Sequence, residues 1–176
     1  PPNLYFHNST QVRSLCNQVD LLANAEKTDE EQYVPLKLAA IFLYAGYIIN
    51  YDSPAAASCS LMEEMLSAYG IISEDASSAA KLINNSFGNI IESDCDKILH
   101  DAKYDYLGRV DYIRMTDRLF REESEYGKVE SRDKWISGQR SLLADHDFFT
   151  QTALLLRSVS PAEQALLLQE YGKEMK

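Results

Sequence analysis

The segment from residue 36 to residue 49 restricts the possible folds more than any other part of the chain. It reads LKLAAIFLYAGYII, with apolar side chains on nearly every side of the helix that it would form. A helix that is apolar all round lies inside a protein or a bilayer. The longest apolar run, residues 38–49, is shorter than the ~20 residues that span a bilayer, and Tyr44 and Gly46 interrupt it. The segment therefore predicts a central buried helix, and we expect no membrane contact.

The rest of the sequence predicts further helices and no strands. From Ser9 onward, apolar residues recur at spacings of three and four, and the segments are separated by short loops without a linker or repeat. Residues that favour a helix start are Asn8 or Ser9, Thr28 to Glu31, Ser53-Pro54, Ser73, Ser93, Gly108, Ser131 and Ser160. The helix that begins at Ser131 either continues or breaks before Phe148. We expect one all-α domain over residues 1–176, a bundle of about eight helices.

Charge and cysteine content narrow the classes of partner and compartment. The net charge is −10, and the basic residues are scattered among acidic ones, so the chain should repel phosphate backbones. Nucleic acid is therefore not an expected partner. Cys16, Cys59 and Cys95 are odd in number and far apart, which argues against a disulfide framework and a zinc cluster. We expect three structural thiols and a cytoplasmic protein.

Four stretches of the chain resemble the HD-domain family of metal-dependent phosphohydrolases. Residues 4–8, LYFHN, are similar to the YHN that begins one branch of the family, and residues 38–47 match the frame of its LAALFHD-GY-like motif helix. Residues 98–108, ILHDAKYDYLG, resemble the branch's IL-DADLDYLG segment. Residues 135–157 are similar to its C-terminal helix pair at Gln139, His146, Phe148-Phe149-Thr150 and Arg157. The resemblance spans nearly the whole chain and implies an HD-like helical bundle.

The same resemblance implies that the metal site is degenerate. In HD enzymes a His of the first helix, the His-Asp pair and a distant Asp hold a metal ion that activates water. These positions fall at Gln11, at Leu43 and Tyr44, and at Asp101. Leu has no lone pair, and a phenol with a pKa near ~10 is a poor ligand at neutral pH. The branch's His-Glu at the start of its third helix is also missing, since residues 53–57 read SPAAA. We expect no metal, no cofactor, no catalytic residue, and a vestigial cleft formed by His7, Gln11, Leu43, Tyr44, Asp101 and Asp105.

The pair His100-Asp101 leaves one alternative open, because it is a His-Asp dipeptide outside the motif helix. A relocated metal site could use His7, His100, Asp101 and Asp105. Adjacent residues on a helix do not face one another, which argues against it. The other interpretation is that Asp101 and Asp105 hydrogen-bond nearby Tyr, Arg or backbone donors.

The remaining histidines and the tyrosines also have structural interpretations. We expect His7, which precedes a helix, to pack on Tyr5 or Phe6 and to hydrogen-bond a carbonyl. We expect His146 at a helix start or on the surface. Amphipathic rings suit both a ligand pocket and a core that has filled in after metal loss. We favour the filled core, with a reduced cleft, for Tyr44, Tyr47, Tyr104 and Tyr106.

These observations predict an HD-type fold without HD-type chemistry. The expected function is a catalytically inactive binding, regulatory or assembly module whose partner is a nucleotide-like small molecule or a protein, and a homodimer is compatible with this role. The alternative is a metal-dependent phosphohydrolase that acts on a nucleotide or another phosphoester through a rebuilt metal site. A third interpretation is a domain of a larger signalling protein, because the chain opens with Pro1-Pro2-Asn3.

Overall fold

The computed structural model describes residues 1–71, 74–157 and 159–174, and all regular structure in these ranges is helical. The α-helices are α1 (Ser9–Ala25), α2 (Glu30–Phe42), α3 (Pro54–Ala68), α4 (Glu74–Gly88), α5 (Asp94–Lys103), α6 (Tyr112–Glu125), α7 (Arg132–Asp145), α8 (Gln151–Leu156) and α9 (Pro161–Glu174). Short 3₁₀ helices follow α2 at Ala45–Ile48 and α5 at Asp105–Gly108. The all-α prediction is confirmed. The nine α-helices of these ranges agree with the predicted bundle of about eight, and the helix that follows Ser131 takes the second of the two predicted courses, because it breaks after Asp145.

Most helices begin at the capping residues that the sequence predicts. Side chains that accept hydrogen bonds from a first turn are Asn8, Asp29, Ser93, Ser131, Thr150 and Ser160. At α2 the cap is Asp29 rather than Thr28, because Asp29 Oδ1 accepts from the backbone N–H of Gln32 at 2.8 Å. Ser53 makes no side-chain capping bond at the start of α3. Ser73, the predicted start of α4, lies outside the described residues.

Helix α2 is buried, as its apolar composition predicts. Leu36, Ala39 and Ala40 have no exposed surface. The helix begins at Glu30 and contains Pro35, which is also buried. Within the described ranges, none of the helices combines the length and the apolar character needed to cross a bilayer.

Gly46 lets the 3₁₀ helix after α2 approach the start of α3 closely. A Cβ added at Gly46 would stand 1.9 Å from the carbonyl oxygen of Pro54, which is shorter than any van der Waals contact. The backbone N–H of Gly46 donates to Ser58 Oγ at 2.8 Å, and the Ser58 hydroxyl donates to the carbonyl of Leu43 at 3.1 Å. This buried hydroxyl therefore fastens the end of α2 to α3.

The buried apolar residues form two clusters. The first cluster gathers side chains of α1 to α5 together with Ala153 of α8. The second gathers residues of α6, α7, α9 and the second 3₁₀ helix around Phe6, which comes from the other end of the chain. Phe148 packs against both clusters, and the rings of Phe6 and Tyr44 lie 6.5 Å apart between their centroids. The N-terminal segment, residues 1–8, thus joins the two clusters.

Candidate functional site

The N-terminal segment places His7 against the end of α2. The imidazole ring stacks on Tyr47, with centroids 3.8 Å apart and planes 13° apart. It meets Tyr44 edge to face at 4.8 Å and Phe6 at 4.9 Å. His7 therefore packs on Phe6 as predicted, and the structure brings two of the predicted cleft residues, His7 and Tyr44, into contact.

A buried carboxylate on α6, that of Glu122, holds the N-terminal segment in this position. Its Oε2 accepts hydrogen bonds from the backbone N–H groups of Phe6 at 2.6 Å and His7 at 3.0 Å. Its Oε1 lies 2.5 Å from Nδ1 of His7 and accepts from the hydroxyl of Tyr51 at 3.1 Å. The Glu122 side chain has no exposed surface. The expectation that His7 bonds a carbonyl was wrong, because this carboxylate takes that place.

The ionisation of this pair follows from the balance between burial and hydrogen bonding. Burial raises the pKa of Glu122, but the hydrogen bonds from His7 and from the backbone outweigh burial, and the net shift of the pKa is downward. Burial lowers the pKa of His7, and the Glu122 carboxylate opposes that shift. Glu122 is therefore ionised at neutral pH, and its charge is taken up by the protein's own donors.

Tyrosines surround the pair and remain protonated. Tyr51 stacks on Tyr126 at 3.8 Å between ring centroids, with planes 8° apart. Burial raises the pKa of Tyr44, Tyr47 and Tyr51 well above the ordinary value for tyrosine. At neutral pH these phenols supply hydrogen bonds and aromatic surface, and they lack the charge that would attract a divalent cation.

The two residues at the His-Asp positions of the resemblance belong to the core. Leu43 has no exposed surface and Tyr44 is 3% exposed, and both are members of the first hydrophobic cluster. Gln11 is half-buried on α1, and its backbone N–H donates to Asn8 Oδ1 at 3.2 Å. The three positions thus serve packing and helix capping.

Asp101 is buried and binds the turn before α8. Its Oδ2 accepts hydrogen bonds from the backbone N–H and the hydroxyl of Thr150, both at 2.7 Å. The backbone N–H of Phe149 lies 3.0 Å from Oδ1 and 3.2 Å from Oδ2. Both oxygens therefore accept from the protein, in agreement with the interpretation that Asp101 bonds backbone donors.

Asp105 is buried and takes part in a partly buried ion-pair network with Arg109 and Arg157. It accepts from Arg109 Nη1 at 3.0 Å and forms an ion pair with Nη2 of Arg157. Arg109 also binds Asp111 through two nitrogens, at 2.8 and 2.9 Å. This agrees with the interpretation that Asp105 bonds arginine donors, and it ties the second 3₁₀ helix to the residue after α8.

His100 lies beside His146 and not beside His7. The two imidazole rings stack with centroids 5.1 Å apart and planes 7° apart. His146 follows the last residue of α7 and is half-buried, so the expectation of a helix start or surface position was wrong. Over residues 1–71, 74–157 and 159–174, no three His, Cys, Asp or Glu side chains are grouped so as to hold a metal ion.

A groove opens beside the contact between His7 and Tyr44. Its volume is about 510 Å³. We call it the His7–Tyr44 groove, and its apolar wall is formed by Leu4, Val12, Ile41 and Ile48. Asn8 and Arg13, at the start of α1, supply polar groups to its lining. The groove has room for a small molecule with an apolar body and one anionic group.

Sequence patterns did not identify two charged residues with roles in tertiary structure, Glu122 and Lys103. Glu122 lies in the sequence REESE, whose charged composition is typical of an exposed helix face, and its partners are 71 or more residues away. Lys103 donates to the carbonyl of Ser86 at 2.8 Å, and its Nζ lies 5.3 Å from the ring centroid of Phe87 and 5.1 Å from that of Tyr104. Burial lowers the pKa of Lys103 to about 8. Neither residue carries a local signal, because both roles depend on tertiary contacts.

No family model, no curated protein and no solved structure matches the chain. The likeness to HD domains therefore depends on the four stretches described above and on nothing further.

Proposed function

We propose that this chain is a catalytically inactive HD-like domain that binds a nucleotide-like small molecule in the His7–Tyr44 groove and acts as a regulatory module. The observation that carries the proposal is the burial of Leu43 and Tyr44, 0% and 3% exposed, at the positions where the resemblance requires a His-Asp pair. The hydrogen bonds of Asp101 to Phe149 and Thr150 support it, since they engage both oxygens of the last ligand-type residue. The free thiols of Cys16, Cys59 and Cys95 support a reducing, cytoplasmic setting.

The groove chemistry supports a ligand with a flat apolar part and a phosphate. The side chains of Ile41 and Ile48 are 42% and 57% exposed, so they offer apolar surface to a ligand. Arg13 is the basic side chain on the groove wall and suits a phosphate group. The chain's net charge of −10 disfavours long polyanions, whereas one mononucleotide needs only this local cation.

A thermal-shift screen tests the proposal directly. We would titrate AMP, GMP, CMP and UMP to 1 mM and measure the unfolding midpoint. Binding with a Kd near 0.1 mM should raise the midpoint by about 3–6 °C, from about 1.4 kcal/mol of linkage. No shift with any of the four nucleotides would contradict a nucleotide ligand.

Two neighbouring isoleucines provide a matched pair of variants. Ile48→Glu adds a negative charge to the groove wall and should abolish the shift by repelling phosphate. Ile49→Glu adds the same charge at a similarly exposed residue, 62% against 57%, that does not line the groove. The Ile49 variant should keep the wild-type shift. Equal loss in both variants would place the ligand elsewhere.

Metal-binding and activity measurements test the proposed absence of catalytic activity. Purified protein should not hydrolyse phosphomonoesters or phosphodiesters with Mn²⁺ or Ni²⁺, and turnover that depends on either ion would overturn the proposal. The triple variant Gln11→His, Leu43→His and Tyr44→Asp tests the HD ancestry. If the scaffold is HD-like, this variant should bind Mn²⁺ in equilibrium dialysis whereas the wild type should not.

Protein contact is the second candidate, and the exposure of α8 favours it. Leu154, Leu155 and Leu156 are 52%, 85% and 46% exposed. Consecutive exposed leucines are typical of association surfaces. Sedimentation velocity of the wild type and of Leu155→Glu tests this role: a dimer that Leu155→Glu dissociates would support assembly, and a monomer at 100 µM would argue against self-association.

A further inference from the structure

The imidazole of His7 presents one ring nitrogen, Nε2, to the His7–Tyr44 groove. The side chain is 9% exposed, and the residue lines the groove. Its Nδ1 is occupied by Glu122 Oε1. Nε2 has no hydrogen-bond partner among the residues that the structure describes, and it keeps accessible surface, in contrast to Nε2 of His146. A molecule in the groove can therefore reach this nitrogen.

Glu122 determines which nitrogen of His7 carries the proton. The carboxylate is ionised and has no hydrogen to donate, so Nδ1, which lies 2.5 Å from Oε1, is the donor of this hydrogen bond. Burial lowers the pKa of His7, so the ring holds a single proton at neutral pH. Nε2 therefore has a free lone pair, and it can only accept a hydrogen bond.

The other polar groups of the groove wall make no such demand on a ligand. Both polar atoms of the Asn8 side chain are engaged with backbone groups of neighbouring residues. The guanidinium of Arg13 only donates, and the hydroxyls of Ser9 and Tyr44 can rotate to donate or to accept. Nε2 of His7 is thus an acceptor of fixed direction. A ligand that covers it without offering a donor hydrogen leaves a desolvated acceptor unpaired, which costs affinity.

We propose that the groove selects a nucleotide whose base carries an exocyclic amino group, and that Nε2 of His7 accepts a hydrogen bond from that group. This inference rests on the nucleotide binding proposed above and adds the identity of the base. Adenine and cytosine carry such an amino group. In hypoxanthine and uracil a carbonyl oxygen stands at the same position, so two acceptors would face each other and neither would be satisfied.

Nucleotides that differ only in the amino group test the selection on the wild-type protein. AMP is paired with purine riboside monophosphate, and CMP with pyrimidin-2-one riboside monophosphate, which carry hydrogen in place of the amino group. Isothermal titration calorimetry at neutral pH should show about 3–10-fold tighter binding of the amino compound, the worth of one hydrogen bond. Equal affinity within both pairs would overturn this inference and leave a nucleotide ligand in place. The absence of binding by any nucleotide would overturn the proposed function as well.

Glu122→Gln tests whether this carboxylate sets the direction of the hydrogen bond at Nε2. The amide oxygen of the variant should stay with the backbone N–H groups of Phe6 and His7, because these groups only donate. The amide nitrogen then faces Nδ1 and donates to it, so the ring proton moves to Nε2. This nitrogen becomes a donor. The variant should therefore bind IMP more tightly than AMP, whereas the wild type should bind AMP more tightly than IMP. A loss of stability alone would not reverse this order.

Nuclear magnetic resonance of the imidazole nitrogens reports the same change without a ligand. In a long-range ¹H–¹⁵N spectrum the protonated nitrogen of His7 should be Nδ1 in the wild type and Nε2 in Glu122→Gln. Glu125→Gln is the control, because Glu125 is an exposed carboxylate of the same helix that bonds the Tyr5 hydroxyl, and this variant should keep the wild-type tautomer and preference. A proton on Nε2 in the wild type, or an unchanged order of AMP and IMP in Glu122→Gln, would overturn the positioning role of Glu122.

Discussion

Replacement of Glu122 tests whether one buried carboxylate fastens the N-terminal segment. In Glu122→Leu the buried N–H groups of Phe6 and His7 and the His7 ring lose their acceptor. Each of these three unsatisfied groups costs about 1–3 kcal/mol, so the variant should lose about 3–9 kcal/mol of a total stability near 5–15 kcal/mol. Glu122→Gln keeps one oxygen and the shape but turns charge-assisted bonds into neutral ones, and it should lose about 1–3 kcal/mol. Urea unfolding followed by far-UV circular dichroism measures both values.

The acid dependence of the same variants checks the sign of the electrostatic contribution. Because the pKa of Glu122 is lowered in the folded state, its contribution is fully present above the ordinary value of 4.5 and is lost as the pH falls through the lowered folded pKa. Glu122→Gln should lack this loss. Glu125→Gln is the control, since Glu125 is exposed and bonds the Tyr5 hydroxyl of the same segment, and it should stay within about 0.5 kcal/mol of the wild type. A Glu122→Leu variant that loses less than about 1 kcal/mol would refute the reasoning.

Three further predictions concern other buried contacts. The folded-state pKa values of His100 and His146 are lowered from 6.5 to about 4, so the free energy of unfolding should fall as the pH drops from 6.5 toward 4. In the double variant His100→Phe, His146→Phe this free energy, measured by urea unfolding at each pH, should depend less steeply on pH. Asp101→Asn places an amide donor against backbone N–H donors and should lose about 1–3 kcal/mol, with faster hydrogen exchange at the turn before α8; unchanged exchange there would contradict this role. Gly46→Ala should lower the free energy of unfolding by about 2–4 kcal/mol, because its Cβ would overlap a backbone carbonyl. Gly138→Ala on α7 is the control: a Cβ there meets nothing within 4 Å, so this variant should be neutral or stabilising.

Local sequence signals predicted most of the helical framework, because helix starts depend on side chains close in sequence. Ser93 and Asp96 form a reciprocal capping box, and Ser160 does the same with Glu163. For the segment after Asp145 the sequence predicts either a continued helix or a break, and there is a physical reason for this ambiguity. The composition of the residues after Asp145 is compatible with a longer helix. The turn is fixed by hydrogen bonds that Asp101, more than forty residues away, accepts from it.

The candidate site was less predictable, because its contacts join distant segments. Contact between His7 and Tyr44 agrees with the predicted cleft, but the acceptor of His7 is Glu122, whose acidic neighbours suggest solvent exposure. Ser58 likewise stands among small residues, and nothing nearby in sequence marks its hydroxyl as the link between α2 and α3. Burial of a polar group by a remote partner leaves no periodic pattern, so such residues become visible only in three dimensions.

The long-range attachment of the N-terminal segment sets an order for folding during biosynthesis. The bonds from Phe6 and His7 reach across 116 and 115 residues. A ribosome that adds about 5–20 residues per second needs roughly 6–23 s to produce the acceptor after the donors have emerged. During that interval the first helices can assemble locally, but the second cluster, to which Phe6 belongs, cannot form. Residues 1–8 therefore cannot dock on Glu122 before α6 is made, and nascent chains should expose them to chaperones until α6 has been translated.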